Sequence, residues 1–207
     1  MTLIMRTLVL ALLFFGQAQT QTYPAPYPRP GTTKVMENDL LIVWDVSWLK
    51  QAYPTHRHVY DYAGIYYTNG DRVIVSEQGV RSPSHSVAWD TFVLPRGITH
   101  SEEGASDQPL RGIFLEFKQP KPVGTIDTRT SPAAFPGASA KQLKDSERVT
   151  IWELAPGQLP SPHLHTRDAV VVAFTGLKPR VTFVGRGTVH GDEQTTGADR
   201  VFTFEVK

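Results

Sequence analysis

The sequence predicts an all-β protein built from two copies of one unit, the second shortened. Three observations carry that expectation. Short runs of four to eight residues, rich in Val, Ile, Phe, Tyr and Trp and bounded by Gly, Pro, Asn or Asp, recur along the chain, which is the grammar of strands and turns. No stretch sustains helical spacing of apolar residues beyond two turns, so little helix is expected. The third observation is an internal repeat, the signature of a duplicated unit.

The expected strands are Leu40–Trp44, Ala63–Tyr67, Arg72–Val75, Val87–Leu94, Gly112–Phe117, Val149–Leu154, Ala169–Phe174, Val181–Val184 and Val201–Val206. Two proline-rich stretches separate the copies from what precedes them. Tyr23-Pro-Ala-Pro-Tyr-Pro-Arg-Pro30 fixes φ at alternate residues and removes amide donors, so it reads as an extended linker outside the sheets. Residues 118 to 140, with prolines at 120, 122, 132 and 136, read as a second irregular stretch. The expected organisation is a leader over 1–18, a linker over 19–34, a first repeat over 35–119, a linker over 120–142 and a shortened repeat over 143–207.

The leader shows Arg6, then a short apolar core from Thr7 to Phe15, then Gly16-Gln17-Ala18 as a small-x-small cleavage site. A spanning helix needs roughly 20 apolar residues, and this run is about half that, so cleavage and export to a periplasm or the exterior are expected. The 21 Lys and Arg balance 20 Asp and Glu, which excludes the basic stripe of a nucleic-acid binder. Cysteine is absent, so disulfides, thiolate ligands and thiol nucleophiles are excluded.

The repeat runs in the same order in both copies. Asn38-Asp-Leu-Leu-Ile-Val-Trp44-Asp45 matches Ser146-Glu-Arg-Val-Thr-Ile-Trp152-Glu153, and Pro54-Thr-His56-Arg-His58 matches Ser161-Pro-His163-Leu-His165. Asp61 then matches Asp168, and Arg96-Gly97-Ile-Thr-His100-Ser-Glu-Glu103 matches Arg186-Gly187-Thr-Val-His190-Gly-Asp-Glu193. Arg111 and Glu116-Phe-Lys118 parallel Arg200 and Glu205-Val-Lys207. The copies differ in one interval: His58 and His100 are 42 positions apart, His165 and His190 only 25. The missing material corresponds to residues 71–90 and reads as one hairpin. At about 65 residues the short copy is marginal by itself and should pack on the first.

Six of the seven histidines fall into these two matching sets of three. His-x-His on a strand puts both imidazoles on one face, and a third from another strand of a closing barrel completes a three-nitrogen face for one cation. Neutral imidazole suits divalent Fe, Mn, Zn, Cu or Ni, and three ligands leave positions open for water or substrate. His56, His58 and His100 are therefore the candidate metal ligands. His163, His165 and His190 form a candidate second set, whose closure is left open because its hairpin is missing. His85, in Ser82-Pro-Ser-His85-Ser, reads as an exposed turn residue. Tyr60 and Tyr62 continue the His56/His58 face of a regular strand and are the candidate catalytic groups. Tyr66, Tyr67, Trp89 and Phe92 are further candidates for the cavity wall. Glu102 reads as a solvated loop acid, and Glu103 as either that or a partner for a ligand imidazole.

Pro54-Thr-His56-Arg-His58 followed by Gly70 resembles the first motif of the cupin superfamily. Phe92-Val-Leu-Pro95-Arg-Gly97-Ile-Thr-His100 resembles the second, the more specific of the two. From about Val35 to Lys207 the chain looks like an exported bacterial two-repeat cupin. The resemblance implies a jelly-roll barrel, duplicated, with both motifs facing one cavity and a metal at its mouth. Cupins commonly place a glutamate ligand four or five residues after the second His. Here those positions are Tyr62 and Ala63, and in the second copy Ala169 and Val170. Asp61 and Asp168 lie one register step off and should face away unless a bulge turns Asp61 inward. The set is thus similar to the three-His thiol dioxygenase branch. In the short copy Gly185 stands where the motif has Pro. The expected partners are a small molecule and, through an edge exposed by the missing hairpin, a second copy of the chain. The expected function is a metal-dependent oxygenase or related enzyme, or alternatively a non-catalytic module that holds metal or a small ligand.

Overall fold

The computed structural model describes residues 22–118, 126, 134–155, 162–191, 193 and 195–207. The leader over 1–18, most of the stretch from 119 to 133, and Asp192 lie outside the described residues. The first repeat contains β1 (Thr32–Glu37), β2 (Leu41–Trp48), β3 (His56–Arg57), β4 (Asp61–Tyr66), β5 (Gly70–Ser76), β6 (Arg81–Ser86), β7 (Thr91–Leu94), β8 (Thr99–Gly104) and β9 (Leu110–Phe117). The second contains β10 (Ala140–Asp145), β11 (Val149–Leu154), β12 (His163–Leu164), β13 (Ala169–Thr175), β14 (Lys178–Val184), β15 (Val189–His190) and β16 (Arg200–Val206). No helix occurs among the described residues, and none there is long and apolar enough to cross a membrane.

Each repeat closes one large sheet against one small one. The large sheets run β1-β2-β9-β4-β7 and β10-β11-β16-β13-β14, so they share one topology. The small sheets are β3-β8-β5-β6 in the first repeat and β12-β15 in the second. The hairpin absent from the second copy is thus β5–β6, close to the 71–90 expected. Even an irregularity is duplicated: β1 slips register between Lys34 and Met36, and β10 between Gln142 and Lys144. A bulge on an edge strand twists it away from intermolecular pairing.

The two barrels pack large sheet to large sheet. Leu41, Val43, Ile65, Ile113 and Leu115 meet Ile151, Val172, Phe174, Phe202 and Phe204 in one buried cluster. The central strands therefore have a barrel on one face and the partner repeat on the other. This is why Ala169–Phe174 reads as an unbroken apolar run and not as an alternating one. Trp89 wedges into this seam, stacked on Phe202 at 5.9 Å and edge-on to Phe174 at 5.1 Å, with the Arg200 guanidinium 4.8 Å over its ring.

Strands begin earlier than the linkers expected from the prolines, at Thr32 and at Ala140. Residues 22–31 stay out of the sheets yet dock on the first barrel: the Arg57 N–H donates to the Pro24 carbonyl at 2.9 Å, and Tyr27 packs on Trp44 at 5.3 Å. Phe135 takes the same place against Trp152 in the second repeat. Proline had signalled only the absence of ladder donors; burial of the aromatics between them decides that the segment is held. The run Val87–Leu94, expected as one strand, is a turn followed by β7.

Candidate metal centre

Register places the first triad. β3 pairs antiparallel with β8 so that His56 stands directly opposite His100, and side chains of directly opposed residues share a face. His58 is fixed beyond the end of β3 by its N–H donating to the Ile98 carbonyl and its carbonyl accepting from Gly97, at 2.9 and 2.7 Å. Gly97 has φ +93, a conformation that L side chains rarely adopt, so this turn requires glycine. The second triad repeats the scheme: His163 opposes His190, and His165 exchanges backbone bonds with Thr188 and Gly187 at 3.0 and 2.7 Å.

In each set one nitrogen from each of the three imidazoles lies within 4.8 Å of the other two. Ring centroids are 4.7–5.2 Å apart in the first set and 4.3–5.1 Å in the second. The second set therefore closes without its hairpin, because β12–β15 pairing alone supplies the register. Tautomers suit ligation. His56 Nδ1 donates to the Pro54 carbonyl at 3.1 Å, which leaves the lone pair on Nε2, a buried atom with no hydrogen-bond partner. His190 does the same through Gly191 at 2.7 Å, and His100 Nε2 is likewise buried without a partner. In the first set His56, His58 and His100 each keep a buried ring nitrogen without a partner, which fits a cation, since such an atom is otherwise costly; in the second, His163 Nε2 and His165 Nε2 lie 3.2 Å apart, within hydrogen-bond reach of each other.

His56, His58, His100 and His165 are pushed toward the neutral form, the form that ligates. Burial lowers His56 and His100, and burial followed by the neighbouring imidazoles pushes His58 and His165 down to about 3. The unfolded chain protonates these two near pH 6.5, whereas the native protein resists until about 3. The metal-free protein should thus have full stability above pH 6.5 and lose on the order of 1.4 kcal/mol per group for each unit below it. Thermal melts of chelator-treated protein from pH 7.5 to 4.5 measure this; a flat Tm contradicts it.

A cavity of about 140 Å³ adjoins the first triad, with His58 and His100 in its wall. Tyr62 lies there, its ring stacked on His58 at 4.0 Å and 7°. Burial raises its hydroxyl pKa, so it stays protonated and serves as a hydrogen-bond donor. Tyr60 does not join it. The chain leaves the strand after Arg57 and re-enters at Asp61, so Tyr60 falls in the intervening turn and off the cavity wall. The period-two continuation assumed a regular strand, and the His58 hydrogen bonds to the Gly97 turn break it. Tyr66 and Phe92 line the cavity, whereas Tyr67 and Trp89 face the seam between barrels.

The acids fall differently from their sequence reading. Asp61 does not swing inward: its Oδ1 accepts the Arg96 N–H at 2.9 Å, as Asp168 does for Arg186 at 2.7 Å. Both carboxylates pin the loop that carries the third histidine. Glu102 is no loop acid. It lies buried on β8, two residues past His100 and on the same face, and accepts from Trp48 Nε1 at 2.9 Å and Arg72 at 3.1 Å. Burial opposes its ionisation, but Arg72 and then Arg29 outweigh that and hold its carboxyl below the usual range. Glu103 points outward to Arg81 at 2.6 Å. His85 is exposed as expected, though in strand β6 and paired with Asp71. Arg29 and Arg72 were not singled out from the sequence, where an arginine beside prolines and one in a hairpin carry no local sign of burial.

No family model matches the chain, and no curated protein matches it. Among solved structures, AerE from Microcystis aeruginosa is 12% identical, with a TM-score of 0.56, covering 90% of this chain and 99% of its own. A cupin domain from Bordetella pertussis is 23% identical over 45% of this chain and 99% of its own, at a TM-score of 0.40. A cupin superfamily protein from Desulfitobacterium hafniense is 12% identical over 48% of this chain and 97% of its own, at 0.34. These likenesses concern the fold alone. What the chain shows is the fold: a double-sheeted, cupin-like β-barrel, present twice.

The two repeats differ in what surrounds their histidines. In the first, the β5–β6 hairpin, the cavity of about 140 Å³ and a buried guanidinium pair adjoin the triad; in the second, Phe135 stacks on His165 at 4.8 Å. Both copies keep the three histidines.

Proposed function

We propose that this is an exported cupin in which His56, His58 and His100 hold one divalent first-row ion beside a small-molecule chamber, and that it acts as a metal-dependent oxygenase or related small-molecule enzyme. The observation that carries this reading is the set of three converging imidazoles, each with one buried nitrogen lacking a partner, beside a cavity that both His58 and His100 line. An ion held there supplies Lewis-acid or one-electron chemistry at the coordination positions that three protein ligands leave open. The chain's own residues do the rest. Phe92, Ile98 and Leu94 keep the chamber apolar, and the protonated Tyr62 hydroxyl orients a bound molecule next to His58. Export rests on the Arg6, Thr7–Phe15 and Ala18 pattern, and N-terminal sequencing of the secreted protein tests it.

A second reading, a non-catalytic binding module, is favoured by Glu102. Its oxygens are engaged by Trp48, Arg72 and Arg29, so the carboxylate in the cavity wall is committed to its neighbours and does not serve as a base. Elemental analysis decides whether there is a metal. The purified protein should carry at least one first-row ion per chain. His100→Ala should remove one while leaving whatever His163, His165 and His190 hold. An unchanged content, or no uptake under any loading condition, rules out the first site. Oxygen consumption across a small-substrate panel then separates enzyme from module.

A further inference from the structure

Beside the first triad, two guanidiniums share one carboxylate. Arg72 Nη1 lies 3.1 Å from Glu102 Oε1, and Arg29 Nη2 lies 3.5 Å from Glu102 Oε2, with all three side chains largely shielded from solvent. Two guanidiniums face a single carboxylate, so this cluster carries one surplus positive charge in a low-dielectric interior, where uncompensated charge is expensive. Aromatic faces offset part of it: Arg29 lies 3.7 Å over Tyr53, and Arg72 lies 4.8 Å over Trp48. They leave donors unused. Of the five N–H groups of Arg72, one reaches Glu102 and one the Tyr66 hydroxyl at 2.6 Å, and Nε is buried without a partner. Glu116, the other buried acid of this barrel, is spent on Trp44 Nε1 at 2.8 Å.

The second repeat shows that the triad does not need these cations. The position of Arg29, two residues after Tyr27, is taken there by Gly137, two residues after Phe135. The strand that carries Arg72 has no counterpart at all. The guanidiniums are an addition of the first barrel, and Arg72 forms part of the wall of the cavity beside His58, His100 and Tyr62.

We propose that the first barrel binds a small organic acid, with its carboxylate on Arg72 and its remaining body against the apolar wall, next to the histidine triad. This rests on the chamber assigned above and names its ligand class. A planar guanidinium fork matches a carboxylate in shape and in charge. Arg29 is a positioning residue: it acts through Glu102, which aims Arg72.

The test is calorimetric titration of the full chain with benzoate against benzamide, and acetate against acetamide, as isolated and after chelation, with metal content measured on the same samples. The acid should bind about tenfold or more tightly than its amide, with or without metal. Arg72→Gln should abolish that preference while leaving metal content unchanged, and Arg72→Lys should weaken it by losing the fork. Equal affinity for acid and amide in the wild-type protein overturns the proposal, whatever the variants do. So does a preference that survives Arg72→Gln, or one that vanishes with the metal, since the metal alone is then the anion site. An Arg72-dependent preference in a protein that takes up no metal sustains the acid site and removes the metal reading; metal without preference does the reverse.

Discussion

Glu102→Ala should destabilise the protein by about 3–5 kcal/mol, because it leaves Arg29 and Arg72 buried beside each other with no counter-charge. The loss also orphans Trp48 Nε1, which Glu102 accepts from at 2.9 Å. Equilibrium denaturation in urea at neutral pH measures it. The cost belongs to the uncompensated cations and not to the ion pair as such. Replacing all three groups together, as Glu102→Leu with Arg29→Met and Arg72→Met, should therefore recover much of the stability. A loss under 1 kcal/mol from the single variant would mean that Glu102 is solvated after all. An additive, still larger loss in the triple variant would assign the effect to packing.

Phe202→Ala should cost about 3–5 kcal/mol by a different route. Its ring is fully buried in the seam, stacked on Trp89 and edge-on to Phe174 at 6.1 Å, so truncation opens a cavity between two rigid sheets that cannot collapse. For a protein of this size, each kcal/mol moves the melting temperature by roughly 2–4 °C, so a drop on the order of 10 °C is expected. Because the seam is made of both repeats, the transition should stay a single step by calorimetry. Two separated transitions, with only one moved, would show that the repeats unfold independently and that the seam is weak.

The unequal legibility of the two features has a physical basis. The histidine triads could be read because their geometry is local: a period-two pair on one segment, a glycine turn on another, and a duplication that repeated both. The central strands were legible from their apolar runs. Strands β1, β6, β8 and β10 were not. β1, β6 and β10 are polar and mostly exposed edge strands whose only signature is pairing, and β6 carries Pro83. β8, Thr99–Gly104, contains the third histidine and two glutamates, and its composition reads as a solvated loop.

By itself the sequence determined the all-β class, the duplication, the missing hairpin and the membership of the two histidine sets, since each depends on spacing along one segment or on comparison of two. Only the tertiary structure decided that Glu102 is interior, that Tyr62 enters the chamber and Tyr60 does not, and that the second triad closes. Burial and charge compensation are properties of groups brought together from distant parts of the chain. Arg29, Arg72 and Glu102 come from a docked N-terminal segment, a hairpin and a closing strand, and nothing local to any of them announces the other two.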